Sequence, residues 1–186
     1  CQLSDEQKRE YRKITELAIH SHGNDLSGAI KTSPTHIFSI LTRLRQTCCD
    51  LSLLPGREHL PAEGIKTDLL IEKLHDLIPS GAKVLVFSQF TSFLSILKKR
   101  IRLELPELNL FELTGNTRDR SIPVESFENE ASSALMLASL KAAGLGVTLK
   151  SADYVFLMDP WWNPAVEEQA IDRAHRLGRD KPTFIY

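Results

Sequence analysis

The apolar residues among the first 60 positions recur with the period of a helix. The stretch SDEQ (4–7) matches a helix capping box, in which Ser4 and Gln7 satisfy each other's backbone amides. Apolar residues then follow at helical spacing, at Tyr11, Ile14, Leu17 and Ala18. A second helix is predicted from the cap at Ser33 and Pro34, with apolar positions at Ile37, Ile40, Leu41, Leu44 and Cys48. The Pro/Gly-rich stretch 53–64 predicts a linker, so the expected domains are 1–62 and 63–186.

From about residue 66 the pattern alternates between helices and short apolar strands. Runs of strand length occupy 83–89, 108–115, 133–139, 153–159 and 183–186. Between them lie helical patterns around 70–78 and 94–101, a polar helical stretch at 117–129 and a helix at 165–177. Strands without strict alternation, separated by helices, predict a parallel sheet covered on both faces. The sequence therefore predicts an α/β fold with a mostly parallel sheet, preceded by a helical N-terminal segment.

Composition limits the classes of function. The formal charge of −1 differs from the strongly basic balance of domains that bind nucleic acid alone, so a polyanion would be met by local patches or with help. No apolar run approaches the ~20 residues of a membrane span. The three cysteines and six histidines show no disulfide framework and no metal-ligand spacing, so no metal site is predicted. Because the chain reaches a helix cap by Ser4, we expect it to be a piece of a longer protein.

The predicted helix at 165–177 carries an unusual polar stripe. Gln169, Arg173 and Arg176 fall within an arc of roughly 60° at ~100° per residue. An apolar arc lies beside this stripe, and Glu168 lies beyond it, toward solvent. The stripe fits either a solvated face with ion pairs or a phosphate clamp, since arginine offers a planar fork of donors that stays charged. Spacing alone leaves both interpretations open.

Other candidate positions lie where predicted strands end, which is where parallel sheets collect ligands. Ser88 and Gln89 end one strand, and Gly144 and Gly146 follow another. The glycines predict either a tight turn or a close approach of backbone to a ligand, and the third glycine of a dinucleotide motif is missing. No G-x-x-x-x-G-K-[ST] sequence occurs, so the chain has no Walker A phosphate cradle of its own.

Taken in order, the segments resemble the second RecA-like lobe of the SWI/SNF-type DNA translocases. KVLVFSQFTSFL (83–94) resembles motif IV of that family, and LTGNTRDR (113–120) resembles the L-x-G-x-T segment that follows. The stretch 137–179 resembles motifs V and VI without a break. The resemblance implies a RecA-like three-layer domain. This sequence departs from the family pattern at three positions. Glycine is usual at Ala143, asparagine is usual at Thr148, and glutamine is common at Arg179.

The resemblance also implies roles for individual residues. Arg173 and Arg176 match arginines that reach ATP bound mainly by the first lobe, with Arg176 as the arginine finger, and Gln169 begins their motif. Gly144 and Gly146 match a turn that links the nucleotide state to DNA contact. Contacts with DNA are implied at Ser88, Gln89, Gly115, Ser139, Lys141 and Trp162.

The expected function is that of one half of a motor. The resemblance implies ATP with Mg²⁺ as the nucleotide, double-stranded DNA and a first RecA-like lobe as partners, and a location in a bacterial cytoplasm or a nucleus. The chain alone is expected to hydrolyse no ATP. Two alternatives stay open, a non-catalytic module that binds DNA or protein and a stand-alone α/β enzyme, although no nucleophile or metal constellation supports the latter.

Overall fold

The computed structural model describes residues 2–22, 34–58, 64–143, 148–159, 165, 168 and 182–186. The chain divides into two compact units, Cys1–Leu69 and Leu70–Tyr186. The division falls a few residues after the predicted boundary between 62 and 63, which stays a prediction.

The first unit is helical, as the sequence predicts. It contains α1 (Asp5–His22), α2 (Pro34–Cys49), a 3-10 turn (Leu51–Leu53) and the start of α3 (Ile65–Leu77). The capping box is formed, since the Ser4 amide donates to Gln7 Oε1 at 3.1 Å and the Gln7 amide donates to Ser4 Oγ at 3.2 Å. The other end of the buried Gln7 side chain donates from Nε2 to the carbonyl oxygen of Thr47 at 2.8 Å, which joins α1 to α2.

An arginine from the stretch after the 3-10 turn also binds α1. The Arg57 guanidinium donates to Glu6 Oε1 at 3.3 Å and to Glu10 Oε2 at 2.8 Å. Glu6 and Glu10 are one helical turn apart, so a single planar fork can contact both carboxylates. Charge pairing therefore holds the chain after α2 against the outer face of α1.

The second unit contains the strands and the remaining helices. After α3 come a 3-10 turn (Ile78–Ser80), β1 (Lys83–Ser88), α4 (Thr91–Glu104), β2 (Asn109–Leu113), α5 (Ser121–Asn129), β3 (Ala134–Ser139), α6 (Leu140–Ala143), β4 (Tyr154–Leu157) and β5 (Phe184–Ile185). All five predicted strands are present. The polar helix predicted at 117–129 begins only at Ser121, because the Thr117 amide donates to the Thr114 carbonyl in a turn at 3.1 Å.

The five strands form one sheet in the order β2-β3-β1-β4-β5, and every pair is parallel. β1 is central, with Val84 paired to Tyr154 on one side and Ser88 paired to Ser139 on the other. All residues of β3 and all but the first of β1 are buried, so both faces of the central strands are covered. This confirms the predicted α/β fold with a parallel sheet.

Alternate residues of the strands supply the two halves of the core. On one face Leu85, Phe87 and Met136 pack in a cluster with Phe127 of α5, whose ring lies edge-on to Phe111 with centroids 6.2 Å apart. α4 packs against β1 and β3 through a buried stripe made of Phe93, Leu94, Leu97 and Ile101. Burying each such side chain contributes about 1.5–3 kcal/mol. The core thus fixes the strand ends, from which the candidate site is built.

Candidate nucleic-acid interface

The carboxyl ends of the strands meet at one edge of the sheet, because the strands are parallel. Gln89 follows β1, Gly115 lies in the turn after β2, and Lys141 is the second residue of the helix after β3. Since the sheet order begins β2-β3-β1, these three predicted residues follow three adjacent strands. The fold therefore brings together one part of the predicted site at the edge where parallel sheets bind ligands.

Gly115 lies in a turn that the two flanking threonines define. The Thr114 amide donates to Thr117 Oγ1 at 3.0 Å, and the Thr117 amide donates back to the Thr114 carbonyl. Gly115 is exposed, its φ is not positive, and no atom lies within 4 Å of the place a Cβ atom would take. The fold of this chain therefore does not require glycine at residue 115. Glycine leaves room there for a partner to approach the backbone.

Ser139 and Lys141 occupy opposite environments within three residues. Ser139 is 4% exposed, and its Oγ accepts a hydrogen bond from the Ala142 amide at 3.3 Å, as a cap of α6. Lys141 is exposed on the same short helix. Ser139 thus holds the turn, while Lys141 presents its charge to solvent.

Ser88 is also engaged inside the protein. Its side chain is fully buried, and its Oγ donates to Asp159 Oδ2 at 2.6 Å and accepts from the Phe90 amide at 3.0 Å. The other carboxylate oxygen of Asp159 accepts from the Gln89 amide at 2.9 Å. The side-chain Nε2 of Gln89 is buried, and no described residue is its partner. Both serines of the predicted DNA-contact set therefore have hydroxyl groups committed to neighbouring atoms of the chain.

Asp159 is a residue of the site that sequence reasoning missed. It is 2% exposed and lies two residues after β4, at the end of the apolar run 153–159. An acidic residue at the end of a buried strand indicates a carboxylate that is hydrogen-bonded inside the protein. Its partner could not be identified from sequence, because Ser88 is 71 residues away along the chain.

The loop after β2 also has a defined charge state. The Ser121 side chain and backbone donate to Asp119 Oδ1, and these hydrogen bonds lower the pKa of the Asp119 carboxyl. The loop thus carries one carboxylate between Arg118 and Arg120 at neutral pH. Its local charge is basic although the chain as a whole is almost neutral.

The remaining predicted site residues lie outside the described residues: Gly144, Gly146, Trp162, Gln169, Arg173 and Arg176. Of the predicted helix 165–177, Ala165 and Glu168 are described, and both are helical and exposed. Within the described ranges, no group of three or more His, Cys, Asp or Glu residues could hold a metal ion. In the same ranges, no helix has the length and apolar character needed to cross a membrane.

Comparison with known proteins gives consistent matches. Residues 66–178 match the model of the helicase conserved C-terminal domain. The DNA repair protein rad8 of Schizosaccharomyces pombe is 42% identical over 125 residues, which cover 66% of this chain and 11% of that protein. The DNA repair protein RAD5 of Cryptococcus neoformans is 47% identical over 105 residues, which cover 56% of this chain and 9% of that protein.

Two solved structures from Sulfolobus solfataricus are similar in fold. The SWI2/SNF2 ATPase C-terminal domain matches with a TM-score of 0.73 at 30% identity, covering 90% of this chain and 73% of that chain. The SWI2/SNF2 ATPase core in complex with dsDNA matches with a TM-score of 0.78 at 27% identity, covering 100% of this chain and 38% of that chain. The second unit therefore has the RecA-like α/β fold that the sequence resemblance implied.

The parallel sheet and these matches define one class of protein. The chain belongs to the helicase conserved C-terminal domain family, as a C-terminal lobe of the SWI2/SNF2-type ATPases. The chain spans about a tenth of the length of the two repair proteins that it matches.

Proposed function

We propose that this chain is the second motor lobe of an ATP-dependent translocase that moves on double-stranded DNA. The observation that supports this most directly is the exposed row of Gly115 and Lys141 beside Gln89, at the carboxyl edge of a lobe whose structural neighbour is an ATPase core in complex with dsDNA. The proposal places the protein inside the cell, where DNA and ATP are found.

Contact with DNA would be made to its phosphates. Lys141 supplies a flexible cation, and the open backbone at Gly115 supplies a surface that a phosphate can approach closely. Contacts of this kind fix the position of a protein on the duplex and carry no sequence information, which suits a motor. Because the chain has a formal charge of −1, binding would depend on these few groups and on the other lobe.

The contribution to ATP hydrolysis would come from motif VI. Relatives in two Mycoplasma species are named ATP-dependent helicases, which supports ATP, with Mg²⁺, as the nucleotide. The sequence contains no Walker A motif, so the phosphates would be held mainly by the first lobe. Gln169, Arg173 and Arg176 would approach them from this lobe, with Gly144 and Gly146 linking that site to the DNA contacts. An arginine finger contributes about 10³–10⁵ in rate, and we assign that role to Arg176.

The nucleotide role is tested in the full-length protein with Arg176→Ala. We expect DNA-stimulated ATP hydrolysis to fall by about 10³-fold or more, while the dissociation constant for duplex DNA stays within about threefold. Wild-type turnover in this variant would refute the finger. Tight DNA binding by a wild-type protein that never hydrolyses ATP would instead favour the non-catalytic DNA-binding module.

The DNA role is tested with Lys141→Ala and a matched lysine. Lys150 is also exposed, but it precedes β4 and so lies toward the opposite edge of the sheet. We expect Lys141→Ala to weaken duplex binding and to reduce the slope of log affinity against log salt by about 1, while Lys150→Ala changes neither. Gly115→Ala should also weaken binding without lowering stability. Equal effects of the two lysine variants would refute the proposed edge.

A further inference from the structure

Two aspartates flank β4, and each one accepts a hydrogen bond from the backbone of β1. At the amino edge of the sheet, Asp153 Oδ2 accepts from the Lys83 amide at 2.9 Å. At the carboxyl edge, Asp159 Oδ1 accepts from the Gln89 amide at 2.9 Å. The two contacts are alike in geometry and join the same pair of strands. Only the second lies at the edge where DNA contact is proposed.

Asp159 also binds the side chain of Ser88. Its Oδ2 accepts the Ser88 hydroxyl at 2.6 Å, a length typical of a hydrogen bond to a charged acceptor. The same hydroxyl oxygen accepts the Phe90 amide at 3.0 Å. The carboxylate therefore satisfies Gln89 directly and Phe90 through Ser88, so it fixes the path of the chain for two residues beyond β1.

We propose that Asp159 is a positioning residue for the DNA contact at the end of β1, and that Ser88 acts through Asp159 rather than through DNA. This inference rests on the proposed function. Asp159 is 2% exposed and Ser88 is fully buried, so neither side chain offers a surface to a phosphate. Gln89 is partly exposed and follows Ser88 directly, and its backbone is held by the carboxylate.

The proposal and simple charge repulsion predict different changes in DNA affinity when the charge of Asp159 is removed. A carboxylate near a polyanion repels it, so removing the charge would strengthen DNA binding if electrostatics alone mattered. Asp159→Ala and Asp159→Asn remove the same charge. Only asparagine can still accept from the Gln89 amide and donate to Ser88 Oγ, so only asparagine keeps the geometry.

The experiment measures the affinity of full-length variants for a fluorescent duplex at several salt concentrations. We expect Asp159→Ala to weaken binding by about tenfold or more, the equivalent of one lost hydrogen bond to a charged group. Asp159→Asn should stay within about threefold of wild type. The matched control is Asp153→Ala, which removes the equivalent bond at the other edge and should leave DNA affinity unchanged. Melting temperatures of all variants show how far each one is destabilised.

Each outcome decides the proposal. Tighter binding by both Asp159 variants, or equal losses for alanine and asparagine, would overturn it, as would an equal loss in Asp153→Ala. If Asp159→Ala does not fold, Ser88→Ala takes its place, and we expect a smaller loss that is not additive with Asp159→Asn. A wild-type protein without salt-dependent duplex binding would refute the proposed function itself, whereas wild-type binding with normal affinity in Asp159→Ala would refute only this inference.

Discussion

The backbone of Gly64 packs directly on the carbonyl oxygen of Cys49, the last residue of α2. A Cβ atom on residue 64 would overlap that oxygen and would lie 3.1 Å from Asp50 Oδ2. The position of Gly64 is also held by α3, because the Gly64 carbonyl accepts a hydrogen bond from the Thr67 amide at 2.9 Å at the start of that helix. Glycine is therefore required here for packing between the end of α2 and the start of α3.

Gly64→Ala should lower the free energy of unfolding by about 1–3 kcal/mol, because the backbone must shift to relieve the overlap. Gly115→Ala is the matched control, since that glycine has open space around it and no positive φ. Chemical denaturation of both variants checks the difference. Equal stabilities would show that the end of α2 can move away at little cost.

Arg57→Ala should destabilise the helical unit by about 1 kcal/mol or more, because its half-buried guanidinium contacts two carboxylates of α1. The matched control is Lys8→Ala, which removes a lysine paired at 3.1 Å with Asp5 in an exposed setting and should cost only a few tenths of a kcal/mol. Thermal unfolding at low and high salt separates the two. No greater loss for Arg57 than for Lys8 would contradict the prediction.

Lys83→Met should also be destabilising. The Lys83 Nζ donates to the carbonyl oxygens of Phe127 at 2.9 Å and Glu128 at 2.8 Å, and it lies 5.7 Å from the centroid of the Phe127 ring. A cation at the carboxyl end of α5 satisfies unpaired carbonyls and the helix dipole, so we expect a loss of about 1–2 kcal/mol. Lys99→Met, in the exposed face of α4, is the control for lost charge. Urea denaturation of both variants compares their free energies of unfolding.

Ser121→Ala should raise the pKa of Asp119 toward the ordinary aspartate value, because the Ser121 hydroxyl is the main cause of its lowering. A carboxyl with a lowered folded pKa stabilises the fold above its unfolded pKa near 4, and that contribution is lost as pH falls through the lowered value. The variant should therefore differ from wild type in stability above about pH 4 and converge with it in stronger acid. An NMR titration of the Asp119 carboxyl checks the shift, and an unchanged midpoint would contradict it.

The 186-residue chain by itself should hydrolyse no ATP, with or without duplex DNA. Its sequence contains no Walker A motif, so arginines of motif VI would have no bound triphosphate to act on. Phosphate release from highly purified chain is the measurement, with an Arg176→Ala preparation as the control for contaminating ATPases. Turnover that disappears in that variant would show that the chain holds nucleotide without another lobe.

Local patterns predicted most of the fold because they depend on neighbouring residues. The capping box of Ser4 and Gln7, the five strands and the parallel sheet all follow from spacing within short windows. The second role of Gln7 could not be predicted, because Thr47 is 40 residues away and is brought close only by the packing of α1 on α2. The same glutamine thus caps one helix and binds another.

The placement of the candidate residues follows only in part from the sequence, for the same reason. Gln89, Gly115 and Lys141 are placed at one edge by strand polarity alone, which the sequence pattern contains. Which side chains of that edge are free depends on nonlocal partners, and Asp159 turns Ser88 into an internal residue. Ser139 likewise caps α6. DNA contact by Ser139 stays a prediction, and for Ser88 we propose a role through Asp159 instead.

The central position of β1 constrains how this lobe can form during synthesis. Among the described strands of this lobe β1 is translated first, yet its two neighbours are β3 and β4, which are translated much later. The backbone hydrogen bonds on both sides of β1 can therefore form only after β3 and β4 have been translated. Strand pairs so far apart in sequence form slowly. The nascent lobe therefore carries an incompletely paired apolar strand until Leu157 has been translated, so its sheet assembles late.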